Sequence, residues 1–507
     1  MTYAEDIAAA LSRTYELAKK YGAGILLSSD IPRTDRELLV HSKWLIEIIK
    51  GWYMLVKPGI GPGDSSIWYS NFWDFLRVYL EHHYGEEYCL SSQNSLELHV
   101  GSTIIPEKVV VITKQGGGKL QELLFNTSIF VYADRDHLPK ERIKNRGIQL
   151  MTLPHALCKI PPSYFKEKPQ EIEIALKMIR QPSDLAEVIV QHKMKRAAAR
   201  IIGAYYFFGD EKTAKMLEND LNAVNIHVKP ENPFQNESPF VHLKKNTSPY
   251  ASRIIAMWNR YREDVILNFP EPVGLPRHTE EYLEQMEEIY AFDAYNSLSI
   301  EGYQVDAKLI AKVKDKKWDP DLSDSDRKER NALAARGYFE AHLEVKKSIS
   351  KILQGIEVGE TIEEDLRKWY RALFHPSVRA GIIGEEDLFG YRKAAVFIRN
   401  SRHVPLPREA LLDAMEAFFL CLKEENHPAV KAVLGHFIFV FIHPYIDGNG
   451  RIGRFLMNAA LASGGYPWTV VQVKNRLQYL QALEMASVKE TIIPLTKFLA
   501  SEIQWIR

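Results

Sequence analysis

Residues 443–454 read His443-Pro-Tyr-Ile-Asp-Gly-Asn-Gly-Arg-Ile-Gly-Arg454, and this stretch decides the fold around it. An apolar segment, Val433 to Ile442, precedes it. Phe455 to Ala462, which contains neither glycine nor proline, follows it. The pattern predicts two buried helices joined by a loop. The polar side chains of the loop gather at the start of the second helix.

The glycines and arginines of this stretch fit a phosphate site. Gly448 and Gly450 let the backbone adopt positive φ and approach a bulky anion, and the free N–H groups at the start of a helix favour phosphate. Arg451 and Arg454 share one face of the second helix, so they can bind successive phosphates.

Two further residues of the stretch add reactive chemistry. Asp447 offers a hard oxygen ligand, and Mg²⁺ on phosphates takes only one or two carboxylates. His443 is the one side chain here with a pKa suited to removing a proton near neutrality. A histidine before proline, or a Gly-Asn-Gly turn, is usually structural when it occurs alone. Together in one register they predict a nucleotide-phosphate site with a base beside it.

The same stretch resembles the Fic signature, His-Pro-Phe-x-Asp/Glu-Gly-Asn-Gly-Arg-x-x-Arg, with Tyr445 where Phe is usual. We expect that ring to anchor the loop in the core. The resemblance implies an all-α Fic fold and transfer of AMP from ATP to a Ser, Thr or Tyr hydroxyl, with His443 as catalytic base and Asp447 holding Mg²⁺. The ATP contacts that it implies within the motif are Gly448, Asn449, Gly450, Arg451, Ile452, Gly453 and Arg454.

A second motif lies upstream of the first. Thr279 to Ile300 has helical periodicity, and Gly302 is a natural C-cap. The helix ends in Ser297-Leu-Ser-Ile-Glu301-Gly302, which resembles the inhibitory Ser-x-x-x-Glu-Gly motif of regulated Fic proteins. That resemblance implies that Glu301 pairs with Arg454 and blocks the ATP γ-phosphate. The alternative is a surface glutamate at a helix end.

A third stretch, Lys393 to Arg402, predicts a strand and a turn after Gly390-Tyr391-Arg392. It resembles the Fic flap, a β-hairpin that pairs with an extended target and covers the nucleotide. The alternative is an ordinary edge hairpin. Tyr479 also has two interpretations. It aligns with a nucleotide-contacting Tyr of animal Fic AMPylators, but a tyrosine on a helix is more often part of the core. The flap residues that the resemblance assigns to ATP are Ile398, Arg399, Asn400 and Ser401.

The whole chain has the composition of a soluble globular protein, with 46% hydrophobic and 26% charged residues among 507. Lys+Arg and Asp+Glu both number 65, which excludes a global basic field for nucleic acid. Met1 to Gly22 is amphipathic and unlike a signal peptide, and no apolar run is long enough for a membrane helix. Isolated Cys89, Cys158 and Cys421 indicate buried thiols in a reducing cytoplasm.

The N-terminal part predicts helices followed by a hairpin from Trp44 to Pro58, which is typical of a winged helix-turn-helix. Its Gly-Trp-Tyr, and the later segments Tyr88 to Val100 and Val109 to Thr113, resemble AbiEi-type antitoxins. DNA binding is one interpretation. Acidic residues alternate with the basic ones, however, so protein docking or self-association fits equally.

These patterns predict a mainly α chain in four parts. They are a winged helix-turn-helix at 1–75, a small α/β domain at 76–210, a connector at 211–276, and a Fic domain at 277–507 with its inhibitory helix at about 279–302.

The predicted protein is an adenylyltransferase that uses ATP and Mg²⁺ and is autoinhibited by Glu301. It modifies a target protein or itself. Because Fic family members often dimerise, the resemblance also allows a homodimer. Three alternatives stay open. The protein could also remove AMP from its target, it could transfer another phosphate-containing group as some Fic relatives do, or it could be an antitoxin-like DNA-binding regulator that senses nucleotide.

Overall fold

The computed structural model describes residues 2–19, 24–56, 64–114, 116, 118–134, 138–234, 248–274, 279–315 and 330–503. Contacts divide the chain into two units. The N-terminal unit is Met1–Pro249 together with Phe397–Val404, and the C-terminal unit is Tyr250–Val396 together with Pro405–Arg507. In the described part of the chain, no helix is both long enough and apolar enough to cross a membrane.

The N-terminal unit begins with a small sheet packed on two helices. Its strands lie in the order β1-β3-β2, all antiparallel. The predicted hairpin is confirmed, since β2 and β3 join through a turn in which Gly51 has a φ of 86°. The elements are α1 (Tyr3–Lys19), β1 (Ile25–Leu27), α2 (Arg33–His41), β2 (Leu45–Ile49) and β3 (Trp52–Leu55).

The rest of this unit is α/β. A four-stranded mixed sheet has the order β4-β5-β7-β6, with β5 and β7 parallel, and β8 pairs with β9. α3 continues across residue 75, where the sequence analysis placed a boundary. The elements are α3 (Ser66–Tyr84), β4 (Tyr88–Leu90), α4 (Ser92–His99), β5 (Lys108–Thr113), β6 (Lys119–Glu122), β7 (Ser128–Ala133), β8 (Arg142–Asn145), β9 (Ile148–Met151), α5 (Leu153–Lys159), α6 (Pro162–Glu167), α7 (Pro169–Met178), α8 (Pro182–His192), α9 (Lys195–Phe207) and α10 (Glu211–Ala223).

The C-terminal unit is helical, and no strand occurs among its described residues. α17 is apolar on every side and buried along almost its whole length, as expected for a central helix. Close packing of α14 against α15 depends on Gly337, where a Cβ atom would lie 1.9 Å from the carbonyl oxygen of Leu373. The helices are α11 (Pro249–Asn268), α12 (Thr279–Ile300), α13 (Ala307–Lys314), α14 (Arg330–Leu353), α15 (Val358–Arg379), α16 (Leu411–Glu424), α17 (Pro428–Ile442), α18 (Asn449–Ser463), α19 (Arg476–Val488) and α20 (Ile493–Glu502).

The β-hairpin expected at 393–402 is not formed. The described chain there is extended, with a turn at Asn400 (φ 59°) and one isolated bridge between His403 and Ile104. The backbone of the returning limb is already paired, because Ile105 N–H donates to Arg402 O at 2.9 Å and Val404 N–H donates to Thr103 O at 2.8 Å. A second hairpin strand would need those same groups.

Candidate functional site

The loop after α17 begins with an unusual backbone conformation. His443 caps the helix with φ 54° and ψ 59°, and its N–H donates to Phe439 O at 3.0 Å. Left-handed conformation is uncommon for a residue other than glycine and collects at functional sites. It ends the helix abruptly and turns the chain towards the start of α18.

The imidazole of His443 is held in one tautomer. Nδ1 lies 3.0 Å from Val440 O, and a carbonyl can only accept, so Nδ1 carries the proton and Nε2 keeps its lone pair. Burial lowers the pKa of His443, although the bond to Val440 opposes this. The ring is therefore neutral near pH 7, which is the form that accepts a proton.

Tyr445 and Asn449 close the loop upon itself. Tyr445 N–H donates to Asn449 Oδ1 at 3.0 Å, and Asn449 Nδ2 donates back to Tyr445 O at 2.8 Å. The Tyr445 ring stacks on Tyr370 with centroids 3.8 Å apart and planes at 8°. The expectation that Tyr445 anchors the loop is confirmed. The Asn449 side chain is used to fix the loop's shape.

Two glycines make room at the start of α18. Gly448 caps the helix with a φ of 81°, and a Cβ atom there would lie 2.8 Å from the Phe374 ring. Gly450 is helical, so the expectation of positive φ holds only for Gly448. A Cβ at Gly450 would instead lie 2.3 Å from Glu301 Oε1. Here glycine is needed because another side chain approaches the backbone.

Arg451 is buried between aromatic rings. Its guanidinium carbon lies 5.1 Å from the Tyr303 ring centroid and 5.2 Å from that of Phe374. Nη2 donates to Asp447 Oδ2 at 3.1 Å, while Asp447 Oδ1 accepts from Gly448 N–H at 2.6 Å. The carboxylate itself is half exposed (52%), so the acidic end of this pair faces solvent.

Arg454 is bound to the end of α12. Nε donates to Ser297 Oγ at 2.9 Å, and Nη2 donates to Ser297 O at 3.1 Å and to Glu301 Oε1 at 2.8 Å. Burial is the largest single influence on the pKa of Arg454 and lowers it, but the charge and hydrogen bond of Glu301, together with Tyr479 and Tyr338, outweigh burial, so the pKa is raised. The predicted pairing of Glu301 with Arg454 is therefore present in this structure.

Asp293, one turn before Ser297, completes the buried face of α12. Tyr338 donates its hydroxyl to Asp293 Oδ2 at 2.6 Å, and burial raises the pKa of Asp293 to about 6. Asp293 is not among the site residues predicted from the sequence. The spacing of Asp293, Ser297 and Glu301, which are each four positions apart, is the signal that could have found it.

Three predicted nucleotide contacts lie deep in the fold. Ile452 is fully buried, and Gly453 faces His436, whose Nδ1 would lie 3.0 Å from a Cβ atom at Gly453. Tyr479 is 2% exposed, and its hydroxyl lies 2.7 Å from His436 Nε2. Burial raises the pKa of Tyr479 to about 12. This placement favours the alternative that Tyr479 is a core tyrosine.

The four predicted flap contacts fold with the N-terminal unit. Ser401 N–H donates to Ile398 O at 3.2 Å, and Arg399 Nε lies 3.1 Å from Asp64 Oδ2. Asn400 Oδ1 accepts from Ser65 N–H at 3.4 Å. The structure therefore brings His443, Asp447 and the motif arginines together in the C-terminal unit. The four predicted flap residues, 398–401, belong to the N-terminal unit.

The residues at the loop suit a magnesium ion that is carried on phosphates. Within the described ranges, no cluster of three or more His, Cys, Asp or Glu side chains could hold a metal by itself. Asp447 is a single, half-exposed carboxylate beside a helix start. Mg²⁺ commonly takes one or two carboxylates and completes its shell with phosphate and water oxygens, so this donor set fits.

Arg392 is a second residue to which the sequence analysis gave no role. Its side chain is 4% exposed, and Nε donates to His443 O at 2.7 Å. An arginine directly before the proposed flap carried no local signal for such a contact, because the two residues are far apart in the chain.

Comparison with known proteins places this site in a family. Residues 360–461 match the model of the Fic/DOC family. "Protein adenylyltransferase Fic" of Nematostella vectensis is 40% identical over 114 residues, which are 22% of this chain and 26% of that protein. The same-named protein of Drosophila grimshawi is 30% identical over 217 residues, 42% of this chain and 41% of that one. The C-terminal unit thus contains a Fic domain, and the chain spans less than half the length of these relatives.

Among solved structures, Fic-1 (residues 134–508) of C. elegans gives a TM-score of 0.36 at 16% identity. The match covers 66% of this chain and 88% of that one. A score this low adds nothing to the assignment, which depends on the family model and the sequence relatives.

Proposed function

We propose that the C-terminal unit is a protein adenylyltransferase, which moves AMP from ATP to a hydroxyl of a target protein. The observation that carries the proposal is the neutral His443 ring, with its Nε2 lone pair available, on the loop that leads into the start of α18 and the two motif arginines. The names of the sequence relatives support the same activity.

In this proposal, the N–H groups of Asn449 and Gly450 bind phosphate oxygens at the start of α18, and that of Gly448 joins them once Asp447 Oδ1 releases it. Arg451 holds the leaving pyrophosphate, and Arg454 holds the γ-phosphate once Glu301 releases it. When Mg²⁺ is bound, Asp447 is its protein ligand, and the ion neutralises phosphate charge.

The reaction is an in-line displacement. His443 Nε2 removes the proton of the target hydroxyl as its oxygen forms a bond to the α-phosphorus. The bond from that phosphorus to the α,β-bridging oxygen breaks, and pyrophosphate leaves. The products are AMP-protein, pyrophosphate and one proton. Catalysis here consists of positioning and charge stabilisation, as in other phosphoryl transfers.

Autoinhibition by Glu301 is the second part of the proposal. The carboxylate takes an Arg454 donor that a γ-phosphate would need, and its Oε1 lies within 2.3 Å of where a Cβ of Gly450 would be. A phosphate bound at the start of α18 would therefore meet a negative charge at close range. Movement of the end of α12 would relieve both effects.

The experiment that tests the proposal is intact-mass analysis of the Glu301→Gly variant, incubated with ATP and Mg²⁺ alone and with cell extract. We expect added AMP on the enzyme or on extract proteins. Substituting UTP or GTP for ATP identifies the nucleotide. The Glu301→Gly/His443→Ala double variant is the control, and AMP addition by that control would contradict His443 as the base.

Removal of AMP is a second candidate activity, favoured by the position of Glu301 beside Gly450 at the start of α18. In this version Glu301 orients a water that attacks the phosphorus of the AMP-protein bond. Pre-modified target should lose AMP with the parent protein and keep it with Glu301→Gly. DNA binding by the N-terminal unit and homodimer formation stay predictions, and a gel shift and light scattering would test them.

A further inference from the structure

Arg392 is buried in a cage of carbonyl oxygens. Its backbone N–H donates to Pro444 O at 2.9 Å, and Nε donates to His443 O at 2.7 Å. Nη1 donates to Ala394 O at 3.0 Å, and Nη2 donates to Leu406 O. One side chain thus joins the His443 loop to the two places where the chain leaves and re-enters the C-terminal unit around 397–404.

The carbonyls of His443 and Pro444 need such a donor. A helix end leaves its last carbonyl groups without partners inside the helix, and the left-handed turn at His443 points the chain away from α17. Pro444 has no N–H with which to build a local turn. Arginine presents several donors in a rigid fork, and it pairs both loop carbonyls with one residue.

The setting of Arg392 is costly unless it serves the site. Burial lowers the pKa of the guanidinium, and its hydrogen bonds within the described residues all go to carbonyl oxygens. A buried cation without a carboxylate is unfavourable. A methionine side chain could fill the same space without a buried charge and keep the backbone bond to Pro444 O, but it could not bind the carbonyls of His443, Ala394 and Leu406.

The charge of Arg392 also acts on His443. The groups that act on the imidazole are the Val440 carbonyl and the Glu301 and Asp447 carboxylates, which raise its pKa, and Arg392, which lowers it together with burial. Burial is the main cause that lowers the pKa of His443, and the charge of Arg392 acts in the same direction, against the two nearby carboxylates.

We propose that Arg392 is a positioning residue for the transfer reaction: it fixes the His443–Pro444 backbone through paired carbonyls, so that Nε2 faces the reacting hydroxyl. This inference rests on the proposed function, but one of its tests does not need activity. Displacing a reacting group by about 1 Å costs roughly a hundredfold in rate, so loss of the fork should slow the chemistry and leave ATP binding intact.

The test compares Arg392→Lys and Arg392→Met in the Glu301→Gly background. Lysine keeps the charge and loses the fork, while methionine loses both. We expect kcat to fall about tenfold to a hundredfold in both variants, with the KM for ATP unchanged. In NMR titrations of the labelled imidazoles, with His443→Ala to assign the signal, the pKa of His443 should rise in Arg392→Met and stay in place in Arg392→Lys.

The matched control is Arg260→Met, which removes a partly buried arginine whose Nη1 donates to Glu490 at 2.9 Å. Its kcat and His443 titration should equal those of the background protein. An unchanged kcat in both Arg392 variants, or a loss of kcat that merely follows the folded fraction in thermal unfolding, would overturn the inference. If the background protein transfers no AMP at all, the proposed function fails, while a His443 imidazole signal that keeps its chemical shift at high pH in both variants would still overturn the positioning role.

Discussion

Arg451 and Arg454 lie on one face of α18 and both are buried, yet their surroundings differ. Arg451 lies between aromatic rings and bonds Asp447 of its own loop, whose carboxylate is half exposed. Arg454 bonds Ser297 and Glu301 of another helix. Both guanidinium groups therefore bond a carboxylate, but Arg451 bonds one from its own loop that is half exposed, and Arg454 bonds one from α12. In the proposed function, the end of α12 must move before a phosphate can bind Arg454, whereas Arg451 is held by its own loop.

Replacing His443 should have the largest effect, because it removes the general base. Without that base, phosphates held by either arginine are not transferred to a hydroxyl. We expect His443→Ala to lower AMP transfer by about 10²- to 10⁴-fold, the usual contribution of a general base. ATP affinity by calorimetry should be unchanged. Exposed His375, changed to alanine, is the control. Full transfer by His443→Ala would exclude the assigned base.

The Glu301→Gly change should free the Arg454 guanidinium from its carboxylate partner at the end of α12. A hydrogen bond between charged groups contributes about 1.5–3 kcal/mol, so release of Arg454 should raise transfer by about 10- to 100-fold. Labelled ATP and counting of protein-bound label measure this. Glu301→Gln should give a smaller rise, and exposed Glu288→Gln on the same helix none. Equal rates for Glu301→Gly and the parent protein would mean that the pair does not restrain transfer.

Ser297→Ala refines the comparison, because it removes a hydrogen bond from the charged guanidinium to a neutral hydroxyl and leaves the ion pair with Glu301. Such a bond lies at the low end of the range for bonds with one charged partner, about 1.5 kcal/mol, so transfer should rise by about tenfold at most. Since both residues restrain one guanidinium, the Ser297→Ala/Glu301→Gly double variant should be no faster than Glu301→Gly. A fully multiplicative effect would show that Ser297 acts elsewhere.

The smallest effect concerns pH. Burial lowers the pKa of His443 and the charge of Glu301 raises it. Transfer is lost as pH falls through that pKa, because the base becomes protonated. Glu301→Gln removes a raising influence, so the pKa falls further and the acid limb of the pH–rate profile should move to lower pH. Profiles between about pH 5 and 8, with Glu288→Gln as control, measure the midpoint. Movement to higher pH would contradict this electrostatic account.

Local patterns predicted much of the site. The helix–loop–helix around the motif, the bounds of α12 and the pairing of Glu301 with Arg454 follow from periodicity and from motifs contained in short stretches. The role of Tyr445 was also predictable, although the sequence could not show that its buried hydroxyl has no hydrogen-bond partner among the residues that the structure describes.

What the sequence could not predict depends on distant segments. The hairpin at 393–402 fails because Thr103 and Ile105, nearly three hundred residues earlier, pair with the chain there. The burial of Tyr479 depends on His436, and the role of Arg392 depends on carbonyls of the motif loop. Strand propensity or motif alignment cannot express such contacts, since they arise only when the core assembles.

The allocation of Phe397–Val404 to the N-terminal unit affects how the protein can be shortened. A truncated gene that starts at Tyr250 would appear to encode an independent module, since the first segment of the N-terminal unit ends at Pro249. Such a product would expose Val404, which is partly buried against a core cluster of the N-terminal unit, and would remove the bonds of Arg402 to Ile105 and Glu107. Co-expression of both halves, rather than deletion of one, is the safer route to a folded catalytic fragment.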